Sequence, residues 1–233
     1  MLKPIYDITS YTLVDYPNHS SCVVWFSGCN LKCQYCYNHE ILPFNSGTKS
    51  VEDLLNFLDT RIGLLDAVVL SGGEATSFKY LLILCRQIKE KGFKIKLDTN
   101  GTNPIMLERI LKEKLLDFIS LDIKAGTSEQ FNKVIDIKNS KLLESVKETL
   151  TLLNYKYDIA YECRTTIHSD LFSIDDIRQC INLAYNFGYR GKYALQLSLD
   201  NVHTLNNLKN SSTYNKDELI NISKLDIEFR NFI

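Results

Sequence analysis

The chain has 233 residues, 45% of them hydrophobic, and 27 Lys plus Arg against 28 Asp plus Glu, for a formal net charge of -1. That is enough apolar side chain for one sizeable core, and 1–233 reads as a single domain. The balanced charge excludes the broad basic surface of a nucleic-acid binder, and no apolar run approaches the roughly 18 residues of a membrane-spanning helix. The opening MLKPIYDITSYTLVDYP lacks a secretory leader. A cytoplasmic, reducing setting is therefore expected, and there seven cysteines, an odd number, argue for metal binding or buried thiols over a disulfide framework.

In chain order, the first β-branched run is CVVWF (22–26), followed by the loop GCNLKCQYC (28–36) and a Gly/Ser connection, FNSGTKS (44–50). Helical spacing then begins at VEDLLNFLDTRIG, with Ser50 and Asp53 as a capping box. The strand DAVVLS (66–71) runs into Gly72-Gly73-Glu74, and the helix SFKYLLILCRQIKEKG stops at Gly92. Its basic end, Arg86 to Lys96, is interrupted by Glu90 and reads as a solvated surface. FKIKLD (93–98) leads into Thr99-Asn100-Gly101, and Pro104 starts the helix PIMLERILKEK. LDFISLD (116–122) is followed by Ile123-Lys124 and by a helix over SKLLESVKETLTLLN (140–154). YDIAYECRTTI (157–167) ends near His168, and SIDDIRQCINLAYNFG is a helix stopped by Gly188. The sixth strand is KYALQLS (192–198). The tail 199–233 is polar over NVHTLNNLKNSSTYNK, expected as a loop covering or bordering the site, and then carries a short helix at DELINISK and an extended LDIEFRN, expected as a last strand on the barrel edge.

Alternating strands and helices imply parallel strands with right-handed crossovers. The expected fold is thus α/β, a partial (β/α)6 TIM barrel with its core over about 20–198. In that architecture the loops after the strands share one mouth. There lie the cysteine loop, Glu74, Asp98 with Thr99 and Asn100, Asp122 with Lys124, Arg164 with His168, and Gln196. Cys22, Cys85, Cys163 and Cys180 sit inside apolar runs and read as small buried hydrophobes. Cys29, Cys33 and Cys36 admit two readings. With His39 they would form a Cys3His zinc site; alone they would hold an iron–sulfur cubane whose fourth iron takes a ligand from outside the protein.

The pattern C-x-x-x-C-x-aromatic-C at Cys29, Cys33, Tyr35 and Cys36 resembles the signature of the radical S-adenosylmethionine (SAM) superfamily. Gly72-Gly73-Glu74 matches that family's GGE motif. The stretch 11–42, with LDTNG (97–101), LDIK (121–124), CRTT (163–166) and LQ (195–196), is similar to anaerobic ribonucleoside-triphosphate reductase activating proteins and pyruvate formate-lyase activating enzymes, over roughly residues 8 to 200. The resemblance implies one 4Fe-4S cluster on Cys29, Cys33 and Cys36, with SAM on the open iron. Gly72, Gly73 and Glu74 would receive the methionine ammonium, Tyr35 would lie near adenine, and Arg164 near the adenosyl portion. Asp98, Thr99 and Asp122 would help hold a monovalent cation beside the substrate carboxylate, and Lys124 would pair with that carboxylate. Asn100, His168 and Gln196 complete the expected SAM-binding set, with His168 equally readable as an exposed loop residue.

The implied activity is formation of a glycyl radical on a partner, an anaerobic ribonucleotide reductase, with a flavodoxin-like or ferredoxin-like electron donor. A small-molecule substrate, as in 7-carboxy-7-deazaguanine synthases, is the alternative, and a non-catalytic zinc module the third reading. The chain departs from the group at Tyr37, where a histidine is usual, and at Ile167-His168-Ser169-Asp170, where pyruvate formate-lyase activating enzymes carry a proline-glycine turn.

Overall fold

The computed structural model describes residues 2–135 and 141–232. They form two compact units, one made of Met1–Asn30, Glu40–Thr99 and Ile105–Ser120, the other of Leu31–His39, Asn100–Pro104 and Leu121–Ile233.

In the first unit, β1 (Ile5–Thr12) pairs antiparallel with β2 (Ser21–Phe26), and β2 pairs in parallel with β3 (Ala67–Gly72), which pairs in parallel with β4 (Lys94–Thr99). Val23, Val24, Val68, Val69, Leu70, Ile95 and Leu97 are all buried. The unbroken apolar runs of β2 and β3 are what strands covered on both faces require, while in β4 Lys94, Lys96 and Asp98 interleave with Ile95 and Leu97. The register sets Phe26 opposite Gly72, so β2 and β3 end together. Helix α1 (Val51–Asp59) begins at the expected capping box, in which Asp53 N donates to Ser50 Oγ and Ser50 N donates back to the Asp53 carboxylate. Helix α2 (Leu81–Glu90) ends before Gly92, whose φ of +89° is cheap only for glycine. Helix α3 starts at Pro104 and runs to Lys112.

Strand β5 (Phe118–Asp122) is followed by α4 (Ser128–Ile135) and α5 (Lys141–Thr151), the latter continued by a π turn over Leu152–Lys156. In the second unit β6 (Tyr161–Ile167), β7 (Tyr193–Leu197) and β8 (Ile227–Arg230) pair in parallel, with α6 (Ile174–Asn186) between β6 and β7 and α7 (Lys216–Asn221) before β8.

All six expected strands occur, and β8 is the expected extended ending. Three corrections stand beside them. Strand β1 precedes the alternation and is antiparallel to β2; only Ile5 in it is buried, so it offers no apolar period. Helix α4 is additional: its buried Phe131, Val134 and Ile135 lie among polar residues that mask the period. Strand β6 begins at Tyr161, four residues later than 157. Residue 140, where the helix over 140–154 was expected to start, lies outside the described residues.

Candidate functional site

In the first unit the chain leaves β2 through Gly28 into Cys29. Gly73 N donates to Phe26 O at 2.9 Å and Glu74 N to Gly28 O at 2.9 Å. A Cβ on Gly73 would stand 2.1 Å from Gly28 O, and one on Gly72, at φ +109°, would stand 2.3 Å from Phe26 N. These glycines therefore let the end of β3 lie directly on the backbone that leads into the first cysteine.

Glu74 is 2% exposed. Its Oε1 accepts from Thr76 N at 3.1 Å, Thr76 Oγ1 at 2.6 Å and Thr99 Oγ1 at 2.8 Å, which locks the carboxylate in one orientation. Asp98 accepts from Ser71 Oγ at 3.0 Å and pairs with Lys96 Nζ at 2.7 Å. Lys96 is a buried cation that the sequence reading did not single out, although a lysine within the apolar strand β4 is itself a signal.

In the second unit Cys33 and Tyr35 are buried and Cys36 is partly exposed. Cys36 N donates to Cys33 O at 2.9 Å, closing a turn between the two thiols. Lys124 Nζ lies 2.9 Å from Asp122 Oδ2 and 5.5 Å from the Tyr35 ring centroid. The Lys124–Asp122 pair is not the exposed strand-end pair of an ordinary surface, since their side chains are 13% and 16% exposed. Burial works against the Lys124 charge, but Asp122, Tyr35 and Cys33 outweigh it and hold the ammonium well above the usual lysine range. Burial likewise pushes the Cys33 thiol up to about 11 and the Cys36 thiol upward, while Lys124 draws both down. Asp122 Oδ1 is buried and has no hydrogen-bond partner among the described residues. Such an acceptor is costly unless something outside the chain satisfies it.

Arg164 Nε lies 3.7 Å from Asp122 Oδ2 and Arg164 Nη1 lies 3.9 Å from Glu162 Oε1. Glu162 is also gripped by Arg230 of β8, whose Nη2 is 2.8 Å from Oε2. Glu162 and Arg230 were missed because their pairing joins residues 68 apart. Asn100 Oδ1 accepts from Thr102 N at 3.0 Å and from Thr102 Oγ1 at 2.6 Å, shaping the turn before α3. Gln196 is half-buried on β7. His168 is buried, unlike an exposed loop histidine, and both ring nitrogens engage backbone. Nδ1 accepts from Asp170 N at 3.1 Å, which leaves Nε2–H to donate to Lys209 O at 2.8 Å. It therefore holds the tail.

All seven cysteines are thiols, and Cys22, Cys85, Cys163 and Cys180 are fully buried, as expected of small hydrophobes inside apolar runs. Among the described residues no group of three His, Cys, Asp or Glu side chains is gathered as around a single metal ion. A cubane spreads its thiolates over separate irons and needs no such gathering. Soft thiols on one short loop are the donor set an iron–sulfur cluster takes, and the orphaned Asp122 oxygen fits a polar ligand beside it.

A mostly parallel α/β chain with a three-thiol loop behind its first parallel strand has the form of a cluster-dependent enzyme. The model of the Radical SAM superfamily matches residues 23–160, and the chain belongs to that superfamily, whose cofactors are a 4Fe-4S cluster and SAM. A protein of Methanocaldococcus jannaschii named as a glycyl-radical enzyme activating enzyme is 35% identical over 73% of this chain and 70% of its own length. The pyruvate formate-lyase-activating enzyme of Clostridium pasteurianum is 29% identical over 78% of this chain and 76% of its own. The fold matches the crystal structure of Streptococcus suis SuiB bound to S-adenosylmethionine, with a TM-score of 0.62 at 14% identity over 90% of this chain. It is the partial barrel of radical SAM enzymes. The chain spans about half the length of SuiB, 52%. A zinc module with His39 does not account for a family match of this extent, and His39 Nε2 instead lies 3.3 Å from His203 Nδ1.

Proposed function

We propose that Cys29, Cys33 and Cys36 hold one 4Fe-4S cluster, and that the chain generates a glycyl radical on a partner enzyme, an anaerobic ribonucleotide reductase. When bound, the cluster and SAM would supply, with one electron from a flavodoxin-like or ferredoxin-like donor, reductive cleavage of a SAM C–S bond to methionine and a 5'-deoxyadenosyl radical. Transfer of one hydrogen from a glycine Cα of the partner to it would leave 5'-deoxyadenosine and the glycyl radical.

The chain's own residues bind, orient and exclude water. Glu74, with its orientation set by Thr76 and Thr99, receives the methionine ammonium. Lys124 stays charged and faces the carboxylate, while the orphaned Asp122 Oδ1 accepts from the ligand. Tyr35 and Arg164 border the adenosyl portion. The remaining expected contacts come from the loops carrying Asp98, Thr99 and Asn100 and from Gln196; His168 acts through the tail it holds. Lys96 and Lys124 already neutralise Asp98 and Asp122, so the expected monovalent cation has built-in competitors. The radical SAM domain spans 1–233 and works in the cytoplasm.

The observation that carries this reading is the largely enclosed Lys124–Asp122 pair beside Cys33 and Tyr35, with its orphaned oxygen. Its test is anaerobic reconstitution with iron and sulfide, reduction, and incubation with SAM. Wild type and Cys180→Ala should release 5'-deoxyadenosine while Cys33→Ala releases none; equal loss in both would defeat the ligand assignment. With the partner added, electron paramagnetic resonance should show a glycyl radical. Nucleoside release without that signal against any glycyl radical partner would point to a small-molecule substrate.

A further inference from the structure

The segment 31–39 has little regular structure, so its backbone groups must find partners elsewhere. Gln34, between Cys33 and Cys36, finds them with its backbone N–H, backbone carbonyl and both amide ends. Its backbone N donates to Val134 O at 2.9 Å and its Nε2 donates to Lys133 O at 2.5 Å. Both acceptors lie in the last turn of α4, where helix carbonyls lack intrahelical donors. Its backbone carbonyl accepts from Asn206 N at 3.2 Å and its Oε1 from Asn206 Nδ2 at 2.7 Å. One residue earlier in the tail, Leu205 N donates to Cys36 O at 2.9 Å.

The tail is itself fixed just beyond. Thr204 Oγ1 accepts from Leu208 N at 2.8 Å, His168 Nε2 holds Lys209 O at 2.8 Å, and Ser169 N donates to Ser211 Oγ at 2.9 Å. Tyr214 Oη donates to Phe172 O at 2.9 Å, and Phe172 packs on Tyr35 with ring centroids 6.5 Å apart. The cysteine loop is thus clamped between α4 and an anchored strap of tail.

We propose that Gln34 and Asn206 are positioning residues that hold the Cys33–Cys36 turn in its ligating form before the cluster arrives. The inference rests on the proposed ligation by Cys33 and Cys36 and goes beyond it. Fixing the loop during folding removes an ordering cost from cluster binding, and hydrogen bonding and solvent exclusion around a ligand tune the potential of the metal it holds.

The test compares wild type with Asn206→Ala and Gln34→Ala. Asn206 is exposed, so its variant should keep the melting temperature of the parent. In the metal-free chain, iodoacetamide should alkylate Cys33 and Cys36 about threefold to tenfold faster in Asn206→Ala, as loss of a modest hydrogen bond predicts, and faster still in Gln34→Ala. In the reconstituted protein the cluster midpoint potential should rise as solvent enters, and the reduced spectrum should change. Unaltered alkylation rates together with an unaltered potential in Asn206→Ala would overturn the proposal. If loading wild type with cluster fails to protect Cys33 and Cys36 from alkylation, the ligation reading falls instead, and the strap has no cluster to position.

Discussion

Gly73 concentrates the local demands of the site in one missing side chain. A methyl group there would meet Gly28 O at 2.1 Å and Gly28 C at 2.6 Å, and both atoms belong to backbone that cannot swing aside. Gly73→Ala should cost about 1–3 kcal/mol as overpacking and displace Glu74 N from Gly28 O; urea unfolding measures the first and SAM binding to the reconstituted chain the second. A variant as stable as wild type with unchanged SAM affinity would show that the loop has room. Lys124 makes the opposite demand, because it neutralises a carboxylate that burial penalises. Lys124→Met should cost about 3 kcal/mol by leaving Asp122 with only the longer contact to Arg164. Urea midpoints measure that cost, and a variant as stable as wild type would show that Asp122 is satisfied without the lysine.

At the scale of elements, periodicity and end signals were the legible part. Continuous apolar runs mark β2 and β3 and alternating Ile and Leu mark β4, and Pro104, Gly92 and Gly188 mark helix ends through backbone chemistry that no distant residue alters. The cap of α6 is equally local: Asp176 N donates to Ser173 Oγ at 3.2 Å, and Ser173 N donates to the Asp176 carboxylate at 2.8 Å. Ser173→Ala should therefore destabilise by about 1 kcal/mol, seen as a lower urea midpoint with SAM-dependent nucleoside release retained; no shift would mean the helix end is held by packing alone. Strand β1 was not legible, since only Ile5 in it is buried and its pairing with β2 is what makes it a strand. Helix α4 was obscured for a related reason: Gln130 is buried yet polar, satisfied by Leu171 O at 2.7 Å across 41 residues of chain.

For the molecule as a whole, the four cysteines outside the loop are an alkaline liability. Burial pushes the thiols of Cys22, Cys85 and Cys180 up to about 12, and that of Cys163 well above its usual range. In the unfolded chain they titrate near about 8.5. The unfolded state thus releases protons first, so this stability is complete below about pH 8.5 and declines toward pH 12, at about 1.4 kcal/mol per pH unit for each thiol. The melting temperature of the metal-free chain should fall steeply from pH 8.5 to 10.5, and less steeply in Cys85→Ala. A flat profile would mean that these sulfurs meet water.

Among the described residues no helix is long and apolar enough to cross a membrane, in keeping with the composition. By itself the sequence determined the α/β alternation, the three-thiol loop behind its first parallel strand, the GGE turn and the superfamily they define, because these depend on residue type and spacing along the chain. Tertiary structure alone decided that His168 holds the tail, that Lys96 and Lys124 neutralise Asp98 and Asp122, that Glu162 meets Arg230, and that Asn206 reaches Gln34. His168 and Lys96 are polar groups whose burial is tolerable only with a partner, and in several of these pairs the partner comes from a distant segment brought beside it by folding.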